Sequence, residues 1–187
     1  MINRFFDILF SIFLLLVFIF PMIIISALIL FSSGHPIIHY SKRYGINKKI
    51  FIMPKFRTFK KNSPDLPTHQ LHKPDKYITK IGKYLRKYSL DELPQIYSVL
   101  KGDMSIVGPR PALHNQKDLI KLRDKYNINS LYPGITGYAQ INGRDKNTIE
   151  EKVILEKFYY DNVSFKLNLK IIIKTAIFFL SSKDVKH

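Results

Sequence analysis

The sequence predicts an α-rich α+β protein, with a membrane-embedded segment at residues 1–33 and one small compact domain over 34–187. Three observations predict it. Phe5 to Phe31 is almost wholly apolar, with Asp7 near its start and Pro21 in its middle. Behind it, apolar residues recur mostly at helical spacing, with a few short β-like runs between. The 187 residues carry 30 Lys plus Arg against 14 Asp plus Glu, a net charge of +16. That balance points to a polyanionic partner: anionic lipid, nucleotide phosphate or nucleic acid. The absence of Cys excludes disulfides and thiolate zinc sites. The six His residues show no HExxH spacing, and His69 and His72 lie in a Pro-rich loop unsuited to ligation.

As one straight helix, Phe5 to Phe31 would run to ~40 Å, enough to cross a hydrocarbon core of ~30 Å. It is too long for a signal-peptide core and lacks an A-x-A-like cleavage site. Two readings compete: a single transmembrane anchor, or a helix broken at Pro21 that enters and leaves by the same face. In the second, each arm is too short to cross alone. Arg4 precedes the segment, and Lys42, Arg43, Lys48 and Lys49 follow it, which puts the body on the cytoplasmic side in either case.

Ile50 to Met53 is a short β-like run leading into Lys55-Phe56-Arg57-Thr58. Lys60 to Pro74, with Pro64, Pro67 and Pro74, reads as an irregular loop. Ile78, Ile81, Leu85 and Tyr88 recur at helical spacing among basic residues. They predict an amphipathic helix, lying on an anionic interface or packed as an ordinary surface helix. Gln95 to Leu100 is helical and ends at Lys101-Gly102. Ser105 to Val107 reads as a strand before the Gly108–Pro111 turn, and Leu113 to Tyr126 as a helix. Tyr132 to Gly137 is a turn-rich loop, Tyr138 to Ile141 is extended, and Asn142-Gly143 is a turn followed by Arg144. Glu150 to Tyr160 is helical. Leu169 to Leu180, apolar except for Lys170, Lys174 and Thr175, is too short to span and docks on the domain or the interface.

The stretch from Ser89 to Pro111 holds the adjacent carboxylates Asp91 and Glu92, approached by Lys80, Lys83, Arg86 and Lys87. Two neighbouring anions in a cationic frame suit a metal-bound, phosphate-bearing substrate. Ser89 and Glu92 also read as a capping box, with Ser89 as the N-cap. Against that register, Pro94 would fall where a helix needs its N–H. A helix starting near Asp91 accommodates Pro94 in its first turn and sets Asp91 at a helix N-terminus, where the dipole lowers a carboxylate's pKa.

The stretches PKFRT (Pro54–Thr58), IGKYLRKYSLDELPQIYSVLKGDMSIVGPRP (Ile81–Pro111), PGITGYAQINGRD (Pro133–Asp145) and FYYDNVSFKLNLKIIIKT (Phe158–Thr175) together resemble the bacterial sugar transferase family. These are small monotopic phosphoglycosyl transferases. The resemblance implies transfer of a phosphosugar from a UDP-sugar, of N-acetylated hexosamine type, to undecaprenyl phosphate, releasing UMP. It implies Asp91 as nucleophile and Glu92, with Asp91, as ligand of Mg²⁺. The basic residues of the matched motifs, Lys55, Arg57, Arg86, Arg110 and Arg144, become candidates for phosphate and nucleotide contacts. A re-entrant helix kinked at Pro21, interfacial helices and a cytoplasmic catalytic domain at the inner membrane follow from the same resemblance. The chain departs from the family at Phe20, where relatives carry serine before the proline, at Gly34-His35-Pro36 and at Asn168. Partners are anionic membrane lipids and the two substrates, with a homo-oligomer left open. No helix-turn-helix or RNP-type strand speaks for nucleic acid. The competing expectation is a membrane-tethered basic binding or scaffold protein without catalysis.

Overall fold

In the computed structural model, described over residues 2–61, 63, 74–143 and 147–181, α1 (Ile2–Ser33) continues as one helix through Pro21. It is the one described helix long and apolar enough to cross a membrane, and most of it is not buried. One face is turned to the body. Asp7, Ser11, Ile25 and Ile29 are buried along it, while Leu16, Phe20 and Phe31 stand outward. Both ends are tied to the same body. The Arg4 guanidinium donates to the carbonyls of Val99 (2.6 Å) and Leu100 (2.9 Å). Asp7 accepts from the Ser105 hydroxyl and the Ile106 N–H, both at 3.0 Å. Toward the other end, Ile25 and Ile29 share an apolar cluster with Phe56 and Leu85. Gly34 ends the helix with a φ of 70°, its N–H donating to the Leu30 carbonyl.

β1 (Ile38–Tyr44) and β2 (Ile50–Phe56) form an antiparallel hairpin in which His39 faces Lys55 and Tyr44 faces Ile50. β2 was legible as an apolar run. β1 has no such signal, because what makes it a strand is the ladder with β2 and the Tyr44 N–H bond to the Ala112 carbonyl, both set by residues distant in the chain. Phe51, Met53 and Phe56 carry the hairpin into the core.

α2 (Lys80–Lys87) is capped by the Thr79 hydroxyl, which accepts from the Gly82 N–H at 2.9 Å. α3 (Gln95–Lys101) closes at Gly102, whose φ of 97° is the left-handed stop the sequence announced. β3 (Ser105–Val107) pairs in parallel with β4 (Gly134–Thr136), where a turn-rich loop was expected. The pairing exists because two glycines let backbones touch. A Cβ on Gly108 would lie 2.2 Å from the Tyr132 carbonyl oxygen, and one on Gly134 would lie 2.1 Å from the Gly108 nitrogen.

α4 (Lys117–Asp124) is shorter than the periodicity suggested. α5 (Tyr138–Ile141) is helical, not extended, because the Gly137 carbonyl accepts from the N–H groups of Gln140 and Ile141. α6 (Ile149–Asp161) opens with a capping box: Thr148 accepts from the Glu151 N–H at 3.2 Å, and Glu151 from the Thr148 N–H at 2.8 Å. Thr148→Ala is expected to lower stability by about 1 kcal/mol, read from the denaturation midpoint of the detergent-held protein. α7 (Phe165–Ser181) buries Ile171 completely and uses Asn168 to accept from the Tyr159 hydroxyl at 2.9 Å. The main core joins Phe51 and Met53 to Val99, Met104, Ile106, Val107, Tyr159 and Ile171.

Candidate active site

Asp91 and Glu92 sit in a short 3₁₀ turn, Leu90–Glu92, that follows Ser89 in the left-handed region (φ 49°). Successive N–H to carbonyl bonds, Glu92 to Ser89, Leu93 to Leu90, Ile96 to Leu93 and Tyr97 to Pro94, carry this turn into α3. Both helix registers considered from sequence are corrected. Ser89 makes no side-chain capping bond, and α3 starts only at Gln95. Pro94 has no N–H to return to Leu90, so the α-type ladder forms after it and the carboxylates stay in the tighter turn.

Three motifs meet on Glu92. Lys55 of β2 donates to Oε1 at 2.7 Å, and Arg110 of the Gly108–Pro111 turn donates its Nη2 to Oε1 at 2.8 Å. The Lys55 and Glu92 side chains are only 16% and 15% exposed, so this pair is screened little by water. Burial opposes ionisation of Glu92, but Arg110 and then Lys55 hold its carboxyl well below the usual range. Burial also pulls the Lys55 ammonium below its ordinary value, against the attraction of Glu92. Asp91 differs from its neighbour. Burial lifts it to about 6; Lys55 pulls it down, Glu92 pushes it up, and Arg86 and Arg110 pull it down. The lowered value expected at a helix N-terminus is therefore reversed, because desolvation outweighs the local cations. Glu92 carries two cations on Oε1, while Asp91 beside it is raised by burial.

Arg86 lies 5.3 Å over the Phe59 ring and acts electrostatically on Asp91. Arg57 is not brought into this group. Its Nη2 donates to the carbonyls of Ser33 (2.9 Å) and Gly34 (2.6 Å) and to the Ser33 hydroxyl (3.0 Å), closing the C-terminal end of α1. Pro21 lies within α1, and Arg144, His69 and His72 fall outside the described residues.

Sequence reasoning missed two arginines. Arg43 of β1 donates to the Pro111 carbonyl at 3.2 Å, and burial followed by the nearby Arg110 brings it down to about 10. It counted only as loop charge, since nothing local marks it as facing the Gly108–Pro111 turn. Arg123 of α4 forms a buried fork on Glu156 of α6, Nε to Oε2 at 2.7 Å, and donates its Nη2 to the Arg110 carbonyl at 3.0 Å. The side chain of Arg110 serves Glu92 while its main chain is held by Arg123.

Around the carboxylates Asp91 and Glu92 stand the cations Lys55, Arg86, Arg110 and Arg43. Four positive groups against two negative ones leave an excess suited to a diphosphate. Among the described residues no cluster of three or more His, Cys, Asp or Glu side chains exists. A metal here would take at most two carboxylates, with water and substrate oxygens completing it.

The family model for bacterial sugar transferases matches residues 1–182. The Bacillus subtilis sugar transferase EpsL is 39% identical over 186 residues, covering 99% of this chain and 90% of that protein. The exopolysaccharide production protein ExoY of Rhizobium meliloti is 35% identical over 191 residues, covering 94% and 84%. The UDP-glucose:undecaprenyl-phosphate glucose-1-phosphate transferase of Xanthomonas campestris is 38% identical over 170 residues, covering 87% of this chain but only 35% of that longer protein. The chain belongs to the bacterial sugar transferase family, a family of phosphoglycosyl transferases.

Proposed function

We propose that the protein transfers a phosphosugar from a UDP-sugar to undecaprenyl phosphate through a covalent adduct on Asp91. The observation that carries this is the convergence of Lys55 and Arg110 on Glu92 next to a half-buried Asp91 carboxylate that is raised to about 6. An Asp91 oxygen attacks the β-phosphorus. The bond from that phosphorus to the oxygen bridging the α-phosphate breaks, and UMP leaves with the bonding pair. An oxygen of undecaprenyl phosphate then attacks the same phosphorus, restoring the carboxylate and forming undecaprenyl-diphosphosugar. Lys55, Arg86, Arg110 and Arg43 offset the charge of the diphosphate during its approach.

The donor set fits Mg²⁺: the two adjacent carboxylates, with no cluster of three or more His, Cys, Asp or Glu among the described residues, match a hard cation that keeps several waters. Asp91, with Glu92 beside it, would hold the ion, and bound Mg²⁺ would supply charge neutralisation to the departing phosphate. The resemblance favours an N-acetylated hexosamine as donor sugar, while relatives carry glucose and galactose in their names.

The test is UMP release by the nanodisc-held protein with undecaprenyl phosphate, Mg²⁺ and UDP-glucose, UDP-galactose, UDP-N-acetylglucosamine or UDP-N-acetylgalactosamine. Release with one donor, with a matching phosphosugar mass on the protein, is expected. Binding of the nucleotides without release from any of them would support a non-catalytic scaffold.

The same reading includes a re-entrant α1 that returns to the cytoplasmic face of the inner membrane, bending at Pro21 once in lipid. Support comes from the ties of Arg4 and Asp7 at one end, and of Ile25 and Ile29 at the other, to one body. A spanning helix would carry Arg4 across ~30 Å of hydrocarbon, away from Val99. Cysteines at positions 3 and 48 should both react with an impermeant reagent from the cytoplasmic side only. Reaction of position 3 from the outside would establish a span.

A further inference from the structure

β1 divides its side chains between the two faces of the hairpin. Tyr40 and Lys42 stand exposed on one face, with Ile50 and Ile52 of β2. His39, Ser41 and Arg43 share the other face with Lys55, because cross-strand partners point to the same side: His39 pairs with Lys55, Ser41 with Met53 and Arg43 with Phe51. Residues directly opposed in this way bring their Cβ atoms to ~4.5–5.5 Å. His39 therefore stands beside the lysine that grips Glu92, and it is exposed where Lys55 is not. Further along, Arg43 donates its Nε to the Ser41 hydroxyl at 3.2 Å and its Nη1 to the Pro111 carbonyl. Ser41 Oγ accepts in that bond, which leaves its own proton to donate. The strip thus has a cation at each end, Lys55 and Arg43, and between them an imidazole and a hydroxyl that the reaction described above does not use.

We propose that His39 and Ser41 contact the sugar of the donor and set which sugar is accepted, an assignment that rests on the phosphosugar-transfer reading. The chemistry of the donor supplies the first argument. The phosphorus that Asp91 attacks carries the sugar directly, whereas the uracil is separated from it by the α-phosphate and the ribose. In-line displacement sends UMP off on the side opposite Asp91. Lys55 acts electrostatically on Asp91 as well as holding Glu92, so its cross-strand neighbour stands beside the reacting phosphorus and meets the sugar before the base. The kinds of side chain supply the second argument. Phosphate oxygens are matched by cations, here Lys55, Arg43, Arg86 and Arg110. Sugar hydroxyls and an acetamido group are matched by groups that both donate and accept, as an imidazole and a hydroxyl do. A site built to hydrogen-bond one substrate group discriminates against a donor that cannot return the bond. Epimeric UDP-sugars differ in the direction of one such hydroxyl.

The experiment compares the nanodisc-held chain with His39→Phe, His39→Gln, Ser41→Ala and, on the opposite face of β1, Lys42→Ala. UDP, UDP-glucose, UDP-galactose and their two N-acetylhexosamine counterparts each displace a fluorescent UDP analogue, and UMP release is followed with each donor. His39→Phe is expected to lower kcat/KM for the preferred donor, relative to its epimer, by at least about tenfold, while displacement by UDP is unchanged. Ser41→Ala should act in the same direction, Lys42→Ala should leave the donor ratio alone, and His39→Gln, which still donates and accepts, should keep part of the preference. An equal fall for every donor, UDP included, overturns the proposal, because His39 would then serve the diphosphate or the strand. A donor ratio that His39→Phe and Ser41→Ala both leave unchanged overturns it too. Failure of the transfer reading looks different: the parent chain releases no UMP from any donor. The displacement series then still decides. A sugar preference that His39→Phe erases sustains the contact, and a parent chain that binds all four donors as it binds UDP overturns it.

Discussion

The Asp91→Asn protein is expected to lose UMP release by at least about 10³-fold while becoming more stable at neutral pH. The loss follows from removing the proposed nucleophile: Glu92 is held by Lys55 and Arg110 and cannot substitute. The gain follows from linkage. Asp91 is raised from 3.8 to about 6 in the folded chain, chiefly by burial. A carboxyl raised on folding is penalised once ionised, so the penalty is absent below about pH 4, grows to about pH 6 and is constant above it. Asparagine carries no such penalty, and its advantage should be on the order of 1–2 kcal/mol at pH 7, allowing for coupling to Glu92. Thermal unfolding of both proteins at pH 4 and pH 7.5 reads it directly. A midpoint advantage that is equal at the two pH values would refute the assignment of the raised carboxyl to Asp91. Retained UMP release would refute its role as nucleophile.

The second large effect is expected far from the carboxylates. Arg123 and Glu156 are 5% and 2% exposed at their side chains, and neither has water to fall back on. Glu156→Gln or Arg123→Met leaves one charge buried without its partner and should cost about 3–5 kcal/mol. The paired replacement Arg123→Met/Glu156→Leu should recover most of that, less about 1 kcal/mol for the Arg110 carbonyl that loses its donor. Denaturant midpoints of the three variants test this, and a double variant as weak as either single one would show that the pair matters for more than mutual neutralisation. UMP release adds a distinguishing reading. Because Arg123 holds the main chain of Arg110, the double variant should be stable yet slow, with Glu92 less firmly oriented.

Much of this architecture was legible wherever local chemistry decides structure. Gly102 stops α3 because only a residue tolerant of positive φ ends a helix that way. Glu150 to Tyr160 reads as a helix and is one, and α1 is apolar beyond mistake. What the sequence hid is decided by partners distant in the chain. β1 and β4 become strands only because β2 and β3 lie alongside, and Gly134 reads as a turn residue until Gly108 is known to press on it. The candidate site divides in the same way. Asp91, Glu92, Lys55 and Arg110 were named from their motifs. Arg43 and Arg123 act on backbone carbonyls of the Gly108–Pro111 turn, and a carbonyl leaves no mark in the sequence. Arg57 shows the converse: it stands inside a matched motif, and its guanidinium closes the end of α1.

The ties of α1 to α3 and β3 also set a schedule for biosynthesis. Arg4 must meet carbonyls 95 and 96 residues later, and Asp7 an N–H 99 residues later. At ribosomal rates of about 5–20 residues per second, the helix waits on the order of 5–20 s with a guanidinium, a carboxylate and an apolar face all lacking their final partners. The emerging chain is therefore a client of whatever shields apolar helices at the exit tunnel, and slowing translation should lengthen that dependence. Ribosome-bound chains halted before residue 99 should be recovered with such a shield attached.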